Sequence, residues 1–185
     1  MGAIMQKAWD HLLPGIHDEA LAPNKEATKS LSDRIANLEL PKVDDELDGE
    51  NVKPNGRASG TRYVFGENDL GVKSIRFSLE DGESQLVIVD ENGEYTFPLG
   101  MNGWHRSRVP AVGPLIDRIP NADDVGVATH AVWTESDTLH SRIWLYESPY
   151  RVDIAARFEA DAVHLDVKRN VGWSKKSFEL KGTAE

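Results

Sequence analysis

The hydrophobic periodicity of this chain changes near residue 58, and the change limits the folds available to it. Before that point, apolar residues recur at helical spacing; after it, apolar and polar residues alternate in short runs between turn-forming residues. Alternation with a period of two is typical of strands that bury one face. Since no helical segment interrupts these runs, the sequence predicts a mainly β fold. The runs cover about residues 58–66, 72–79, 84–91, 93–99, 125–134, 138–147, 150–159, 162–168 and 175–181.

Short turns connect neighbouring strands in this pattern. Asn92-Gly93 separates the strand-like segments Leu86–Val89 and Tyr95–Phe97 and is typical of a type I′ hairpin turn, which needs positive φ at both central residues. Strands joined in this way pair as antiparallel neighbours. We therefore expect an antiparallel up-and-down barrel of about eight or nine strands, because closure removes exposed sheet edges. A sandwich of two sheets is the alternative.

Two short helices are expected before the strands. Apolar side chains lie at helical spacing in residues 4–13 and 27–38, and Pro14 and Pro41 follow these two segments. Asn24 is placed to cap the second helix. Since helices of this length are marginal in water by themselves, we expect both to pack on the strand region.

The sequence divides into three parts: a helical segment at 1–41, an acidic linker at 42–57 and a barrel domain at 58–185. The linker begins like a calcium loop, with carboxylates at the first, third and fifth positions from Asp44. Its twelfth position, however, is Asn55 rather than the bidentate glutamate that completes such a site. We therefore expect a solvated acidic segment with no metal.

Charge and hydropathy exclude several classes of partner. With 31 acidic and 21 basic residues, the chain has a formal charge of −10, which repels phosphate backbones and anionic lipid headgroups. The longest apolar runs, Leu86–Val89 and Ile143–Tyr146, are far shorter than the roughly 20 residues that cross a bilayer. We expect no nucleic acid and no membrane as partners. The N-terminal residues do not resemble a secretory signal, which predicts a cytoplasmic location.

The chain offers few groups for catalysis. It has no cysteine, so a disulfide, a thiolate zinc site and a cysteine nucleophile are all excluded. The six histidines are not at metal-ligand spacing. In the segment nearest to a Ser-x-x-Lys nucleophile motif, Ser174 is followed three residues later by Ser177 instead of lysine. The sequence thus favours a noncatalytic protein without cofactor or metal.

Polar and aromatic residues near the predicted strand ends are candidates for ligand binding. A barrel of about eight strands either fills with side chains or holds one small ligand. We expect a filled interior because the inward faces carry bulky aliphatic residues; a small apolar ligand is the alternative. The candidate residues of the pocket or its mouth are Trp104, Trp133, Glu147, Tyr150 and Asn170.

The strand predicted at 138–147 has an unusual outward face. We assign alternate residues from Leu139 to Glu147 to the interior, which turns the remaining side chains outward. Either the N-terminal helices cover this face or it binds a partner protein or a second copy of the chain, since tryptophan, tyrosine and arginine are favoured interface anchors. The residues of this candidate interface are His140, Arg142, Trp144 and Tyr146.

Several short motifs extend over nearly the whole chain. They are Ala8-Trp9-Asp10-His11-Leu12-Leu13-Pro14, Leu38-Glu39-Leu40-Pro41, Gly60-Thr61-Arg62-Tyr63, Asn68-Asp69-Leu70-Gly71, Ala131-Val132-Trp133-Thr134, Glu147-Ser148-Pro149-Tyr150, Arg157-Phe158-Glu159-Ala160-Asp161 and Asn170-Val171. In their order and approximate spacing, these motifs resemble the region after the catalytic domain of some bacterial β-lactamase-related serine hydrolases.

That resemblance implies a calycin-like, that is lipocalin-like, accessory domain of a penicillin-binding-protein-type hydrolase, in which the chemistry belongs to the other domain. The catalytic Ser-x-x-Lys and Tyr-x-Asn elements are missing, and Ile143 stands where the pattern has an aromatic residue. The implied function is a noncatalytic accessory domain that contacts a serine hydrolase or a second copy. A stand-alone carrier of a small apolar ligand is the alternative. The chain is either free-standing or part of a longer protein.

Overall fold

The computed structural model describes most of the chain. The described residues are 2–20, 22–38, 52, 58–80, 82–101, 103–110, 113–115, 123–171 and 177–185. They belong to two compact units, Met1–Leu40 and Pro41–Glu185. Of the predicted linker at 42–57 only Val52 is described, so the failed calcium loop lies outside the described residues, as do Pro41 and Ser174.

The N-terminal unit is helical, as predicted. Helix α1 (Gly2–Lys7) continues into a π-helical turn, Ala8–Leu12, and a 3-10 turn, Leu13–Gly15, while α2 covers Lys25–Ala36. Asn24 caps α2 as expected, because its side-chain oxygen accepts a hydrogen bond from the Ala27 amide at 2.9 Å. None of the described helices is long and apolar enough to cross a bilayer.

The described part of the second unit contains ten antiparallel strands. They are β1 (Arg62–Phe65), β2 (Ser74–Ser78), β3 (Gln85–Val89), β4 (Glu94–Pro98), β5 (His105–Pro110), β6 (Asp124–Glu135), β7 (Thr138–Leu145), β8 (Arg151–Phe158), β9 (Ala162–Arg169) and β10 (Ser177–Ala184). Their order in the sheet is β4-β3-β2-β1-β10-β9-β8-β7-β6-β5. Apart from β4 and β5, which are the two ends of this order, neighbours in sequence are neighbours in the sheet, and β10 pairs with β1, which is the up-and-down pattern. The predicted barrel is confirmed in preference to a sandwich.

The barrel is nearly closed where β4 approaches β6. Just beyond β4, the carbonyl oxygen of Gly100 accepts a hydrogen bond from the Ala131 amide of β6 at 2.9 Å. The Thr129 hydroxyl of β6 donates to the carbonyl oxygen of Pro98. The Val52 amide donates to the carbonyl oxygen of Trp133 on β6 at 3.0 Å. Beyond the part of β6 that pairs with β5, backbone groups that would otherwise form an open sheet edge are therefore hydrogen-bonded.

Alternating side chains fill the barrel. The inward faces of β6 and β7 are buried as predicted, with Val127 and Ile143 at 0% exposure. Phe158 packs against Phe77 edge to face, with ring centroids 5.3 Å apart, and against Trp133 at 5.8 Å. This packing places the core inside the barrel and leaves the outward faces for other contacts.

The β3–β4 hairpin has a different turn from the predicted one. The hairpin itself is present, but Gly93 is not among the glycines with positive φ. Instead, an Asp90 carboxylate oxygen accepts hydrogen bonds from the amides of Asn92, at 2.6 Å, and Gly93, at 3.0 Å. The aspartate side chain organises a four-residue loop, which removes the need for a type I′ turn.

Candidate functional site

A cluster of aromatic and charged side chains covers the outward faces of β6, β7 and β8. We call it the outer platform: Trp104, His130, Arg142, Trp144, Arg151 and Asp153. Its centre is a cross-strand row in which Arg142 of β7 lies between His130 of β6 and Asp153 of β8. Arg142 and Trp144 belong to the outward face predicted from the sequence.

Arg142 is a buried charge with a matched partner. Its side chain is only 5% exposed, and its Nε lies 2.6 Å from the Asp153 Oδ1. The other carboxylate oxygen of Asp153 is 3.0 Å from the Arg151 Nε. One carboxylate thus contacts two guanidinium groups, and Asp153 compensates much of the cost of burying Arg142.

The same cluster fixes the position of Trp144. The Arg151 guanidinium lies over its indole ring, 5.6 Å from the centroid, in cation–π geometry. The Trp104 ring meets Trp144 edge-on at 6.4 Å and lies 5.6 Å from the His130 ring. Trp144 is therefore held between an arginine and a second tryptophan on the outside of the barrel.

The sequence suggested that Trp104 lines the interior of the barrel or its mouth, but Trp104 lies on the outside. It directly precedes β5, and its ring packs on the outward-facing His130 and Trp144. The residues of β5 are mostly polar, so alternation did not reveal this strand and could not assign Trp104 to a face. The correction adds Trp104 to the outer platform.

Glu147 also lies outside the interior. Strand β7 ends at Leu145, so the alternation that predicted an inward Glu147 stops before reaching it. Its carboxylate is exposed, 3.1 Å from the Arg108 Nη1, and also accepts a hydrogen bond from the Gly126 amide. These two contacts, led by the Gly126 amide, lower the pKa of Glu147.

Tyr146 packs beside the platform and remains 44% exposed. A Cβ atom added to Gly126 would lie 2.3 Å from the Tyr146 Cζ, so glycine at that position makes room for the ring. Tyr146 is thus the most exposed aromatic residue of the predicted interface.

His140 is half-buried on the outward face of β7. Burial lowers its pKa below the ordinary 6.5, although the neighbouring Glu135, Asp153 and Asp166 act in the opposite direction. Together with Thr138, it lines an open groove on the outer surface. The four predicted interface residues therefore lie on one side of the barrel but differ widely in exposure.

Among the cavities that described residues line, two are very small and lie in the interior. One, of about 10 Å³, is enclosed by apolar side chains: Leu70, Val72, Ile75, Phe77, Leu86, Ile88, Leu115, Ile154, Leu165, Val167 and Leu180. The other, of about 20 Å³, is lined by Leu115, Leu145, Tyr150, Arg151, Val152, Arg169 and Val171. Each has room for about one water molecule, whereas ligand sites usually measure about 300–1,000 Å³. Side chains therefore fill the space around these two cavities.

Three predicted pocket residues belong to the two ends of the barrel. Tyr150 lines the second cavity, at the end we call the mouth, where the β7–β8 and β9–β10 connections lie. The Asn170 side chain joins these two connections: it accepts from the Arg151 amide and donates to the Pro149 carbonyl oxygen, both at 2.8 Å. Trp133 is buried near the opposite end. The five predicted pocket residues therefore form no single site, although Tyr150 and Asn170 lie together at the mouth.

The segment Asn68–Gly71, one of the motifs that suggested a family resemblance, has a structural role in a turn. The Asn68 side chain donates to the carbonyl oxygens of Gly66 and Val72 and accepts from the amides of Leu70 and Val72. Gly71 in the same motif has a φ of 69°. The motif thus shapes the β1–β2 connection.

Among the described residues, no group of three or more histidine, aspartate or glutamate side chains could hold a metal ion.

The comparisons with known proteins leave the family open. No family model matches the chain. An orotate phosphoribosyltransferase of Pelotomaculum thermopropionicum is 36% identical over 83 residues, which are 42% of this chain and 44% of that protein. The chain thus matches less than half of that relative's length. A fatty acid-binding protein from brain tissue of Drosophila melanogaster aligns in structure with a TM-score of 0.47 and 9% identity, covering 68% of this chain and 99% of that one. The strand pairing defines the fold without this likeness.

Proposed function

We propose that this chain is a noncatalytic accessory domain that binds a protein partner through the outer platform and Tyr146. The observation that carries the proposal is the Arg142–Asp153–Arg151 arrangement, which holds Trp144 in position on the outside of the barrel. Tryptophan, tyrosine and arginine are the residues most enriched among energetic anchors of interfaces. Because the platform is fixed in advance, little side-chain entropy is lost on binding.

The partner we propose is a β-lactamase-related serine hydrolase, on the basis of the resemblance of this chain to the region that follows such catalytic domains. The motifs that carry the resemblance extend from the N-terminal unit to Asn170-Val171, so it concerns the entire accessory region. Self-association through the same surface is the competing outcome, which sedimentation distinguishes from hydrolase binding.

The test compares Trp144→Ala and Tyr146→Ala with Val64→Ala. Val64 provides a matched control because it is a partly exposed, outward-facing residue on β1, with three strands between it and β7. We expect the wild-type chain to bind a purified β-lactamase-related hydrolase in calorimetric titration, and Trp144→Ala to weaken binding by at least about tenfold, as is usual for an interface anchor. Val64→Ala should bind like the wild type. Equal affinity of all three variants would overturn the platform as the binding surface.

The second candidate function is a carrier of a small apolar ligand, and a different observation favours it. The side chains around the smaller cavity are all apolar, and Leu115 lines both this cavity and the Tyr150 cavity at the mouth, so a ligand that displaced Leu115 would meet apolar surroundings. A ligand that binds only the folded chain raises its melting temperature with concentration. We expect saturable stabilisation by a member of a library of small apolar compounds; a flat response across the library would exclude this function.

A further inference from the structure

Charged side chains on the outward faces of β8, β9 and β10 lie in two rows. Each row joins residues that pair directly across the three strands. We call the first the basic row: Arg157, His164 and Lys181. The second, two residues away along each strand, is the acidic row: Ala155, Asp166 and Glu179. Since two residues of a strand span about 7 Å, the two rows lie side by side.

The rows place side chains of one sign opposite each other. Asp166 of β9 pairs directly with Glu179 of β10, and the basic row likewise holds an arginine, a histidine and a lysine side by side. Like charges directly opposite each other destabilise a sheet, whereas opposite charges in the same positions stabilise it. The order of the charges is therefore unfavourable within one chain, and a contact with another molecule can compensate this cost.

The two rows end on β10 in exposed side chains of opposite charge. Glu179 and Lys181 are both exposed, and neither forms an ion pair with another described residue. In the basic row, the His164 Nε2 lies 3.2 Å from the Glu159 Oε1, and the Arg157 Nη2 lies 4.0 Å from the same atom. Glu159 follows β8 on the side of the basic row that is away from the acidic row. Glu179 and Lys181 are thus the clearest probes of a contact that the rows make.

A groove of about 660 Å³ runs over both rows on the outside of the barrel. The side chains of both rows line it, together with Thr138 and His140 of β7. Ala155 has the shortest side chain in either row and has longer side chains around it, so it leaves room above the sheet. One long side chain from another molecule can occupy this room.

The two rows are complementary to each other in a second copy of the chain. A two-fold axis parallel to the rows and midway between them turns the basic row of one copy onto the acidic row of the other. Lys181 then faces Glu179 of the second copy, and His164 faces its Asp166. Each contact occurs twice, as in any isologous interface. An axis parallel to the strands would instead turn each row onto itself and bring like charges together.

We propose that this face binds a second copy of the chain in the two-fold arrangement that sets each basic row on the acidic row of the other copy. In that arrangement, Arg157 of one copy faces Ala155 of the other and occupies the room above it. Asp166 pairs with Ala155 in the sheet, so its carboxylate lies beside the entering guanidinium group. The residues of both rows are not part of the outer platform, so the dimer is independent of the proposed partner binding.

The net charge makes this contact selective. Each copy has a formal charge of −10, so two copies repel each other in an arbitrary orientation. The rows place both signs on one face, and in the two-fold arrangement opposite signs meet. Complementary charges determine the register of an interface more than they increase its affinity. We therefore expect a dimer of defined orientation and modest affinity.

The experiment measures the dissociation constant of the dimer by sedimentation equilibrium for the wild type, Glu179→Lys, Lys181→Glu and the double variant that carries both substitutions. We expect each single substitution to weaken dimerisation at least tenfold, because it places two pairs of like charges in the interface. The double variant exchanges the two signs and should regain dimerisation. An equimolar mixture of the two single variants should also form dimers, since every lysine then faces a glutamate. Recovery in the mixture shows in addition that both single variants are folded.

Glu94→Lys and Arg76→Glu are the matched controls. They make the same two changes of net charge at exposed positions of β4 and β2, away from the rows. Both variants should dimerise like the wild type. If they weaken the dimer as much as the substitutions on β10 do, net charge rather than the rows controls association, and the proposed face is wrong.

Three further results would overturn the proposed dimer. The first is a wild type that stays monomeric up to about 1 mM. The second is a dimer that survives both single substitutions, or one that neither the double variant nor the mixture restores, since the rows would then not face each other. The third is a dimer that Trp144→Ala dissociates and Glu179→Lys leaves unchanged, which would place self-association on the outer platform.

Discussion

Gly100 lies where the chain leaves β4 and contacts β6. A Cβ atom at this position would lie 2.0 Å from the Gly103 carbonyl oxygen, 2.7 Å from the His105 amide nitrogen and 2.8 Å from the Thr129 carbonyl oxygen. All three are backbone atoms, so a rotamer change cannot relieve the clash. Glycine is required here for close backbone approach rather than for an unusual φ.

We therefore predict that Gly100→Ala lowers the free energy of unfolding by about 3 kcal/mol or more, at the upper end of overpacking effects. Gly93→Ala is the matched control, because an added Cβ there meets no atom within 4 Å and needs no positive φ. Its effect should stay within about 0.5 kcal/mol. Urea unfolding of both variants measures the difference, and equal midpoints would contradict the close approach at Gly100.

His140 predicts a pH dependence of stability. Since burial lowers its pKa in the folded chain below the ordinary 6.5, the unfolded chain binds a proton more readily. The stability associated with neutral His140 is present above pH 6.5 and is lost as the pH falls through that value toward the folded pKa. His140→Gln should lose less stability than the wild type between pH 7 and pH 5, as measured by urea unfolding at each pH. A parallel loss in both proteins would show that His140 makes no contribution.

At the scale of elements, the closure between β4 and β6 depends on one buried hydroxyl group. Thr129 is fully buried, and its Oγ1 donates to the Pro98 carbonyl oxygen and contacts that of His105. This hydroxyl thus connects β6 with the ends of both strands that flank the gap in the sheet order.

Thr129→Val keeps the shape of the side chain but removes the donor. We predict a loss of about 1–2 kcal/mol, since a buried carbonyl oxygen is left with one partner fewer. The Ala131 amide donates to the Gly100 carbonyl oxygen, and its hydrogen exchange should become faster. The increase should exceed the one expected from the change in the free energy of global unfolding alone. Thr96→Val, on the outward face of β4, is the control. Unchanged exchange at Ala131 would mean that closure does not depend on Thr129.

Nine of the ten strands could be predicted from alternation and turn residues, because each buries one face on the core. Strand β5 could not be predicted, since the sequence from His105 to Arg108 has no apolar alternation. This segment is a strand because its backbone pairs with β6. Because β5 was not predicted, Trp104, which directly precedes it, was assigned to the wrong side of the barrel. Glu147 was misplaced for a related reason, because alternation holds only as far as a strand continues.

At the scale of the whole molecule, the outward face of β7 was predictable, but its ion pairs were not. Periodicity assigns Arg142 and Trp144 to one face, whereas the contact with Asp153 depends on the register of β7 against β8. Likewise, the alternation on β9 turns Arg169 inward, but only the folded chain brings it to Pro114. Sequence patterns thus predict faces, while long-range register decides which residues meet.

The up-and-down order places the surfaces needed for the two proposed functions on different parts of the barrel, which meet at Arg151. The outer platform lies on β6–β8, whereas the mouth is formed by the connections at one end. Arg151 contacts Asp153 and Trp144 and also lines the mouth cavity. A substitution of Arg151 would therefore disturb both surfaces, so ligand binding and partner binding have to be tested with substitutions at other residues.

The most direct test of the proposed accessory function is native mass spectrometry of the chain isolated gently from its source cells, compared with Trp144→Ala and Val64→Ala expressed in the same cells. We expect the wild type and Val64→Ala to retain a protein of hydrolase size, and Trp144→Ala to lose it. A wild-type chain found only as a bare monomer, or only with an added mass of a few hundred daltons, would contradict the accessory function.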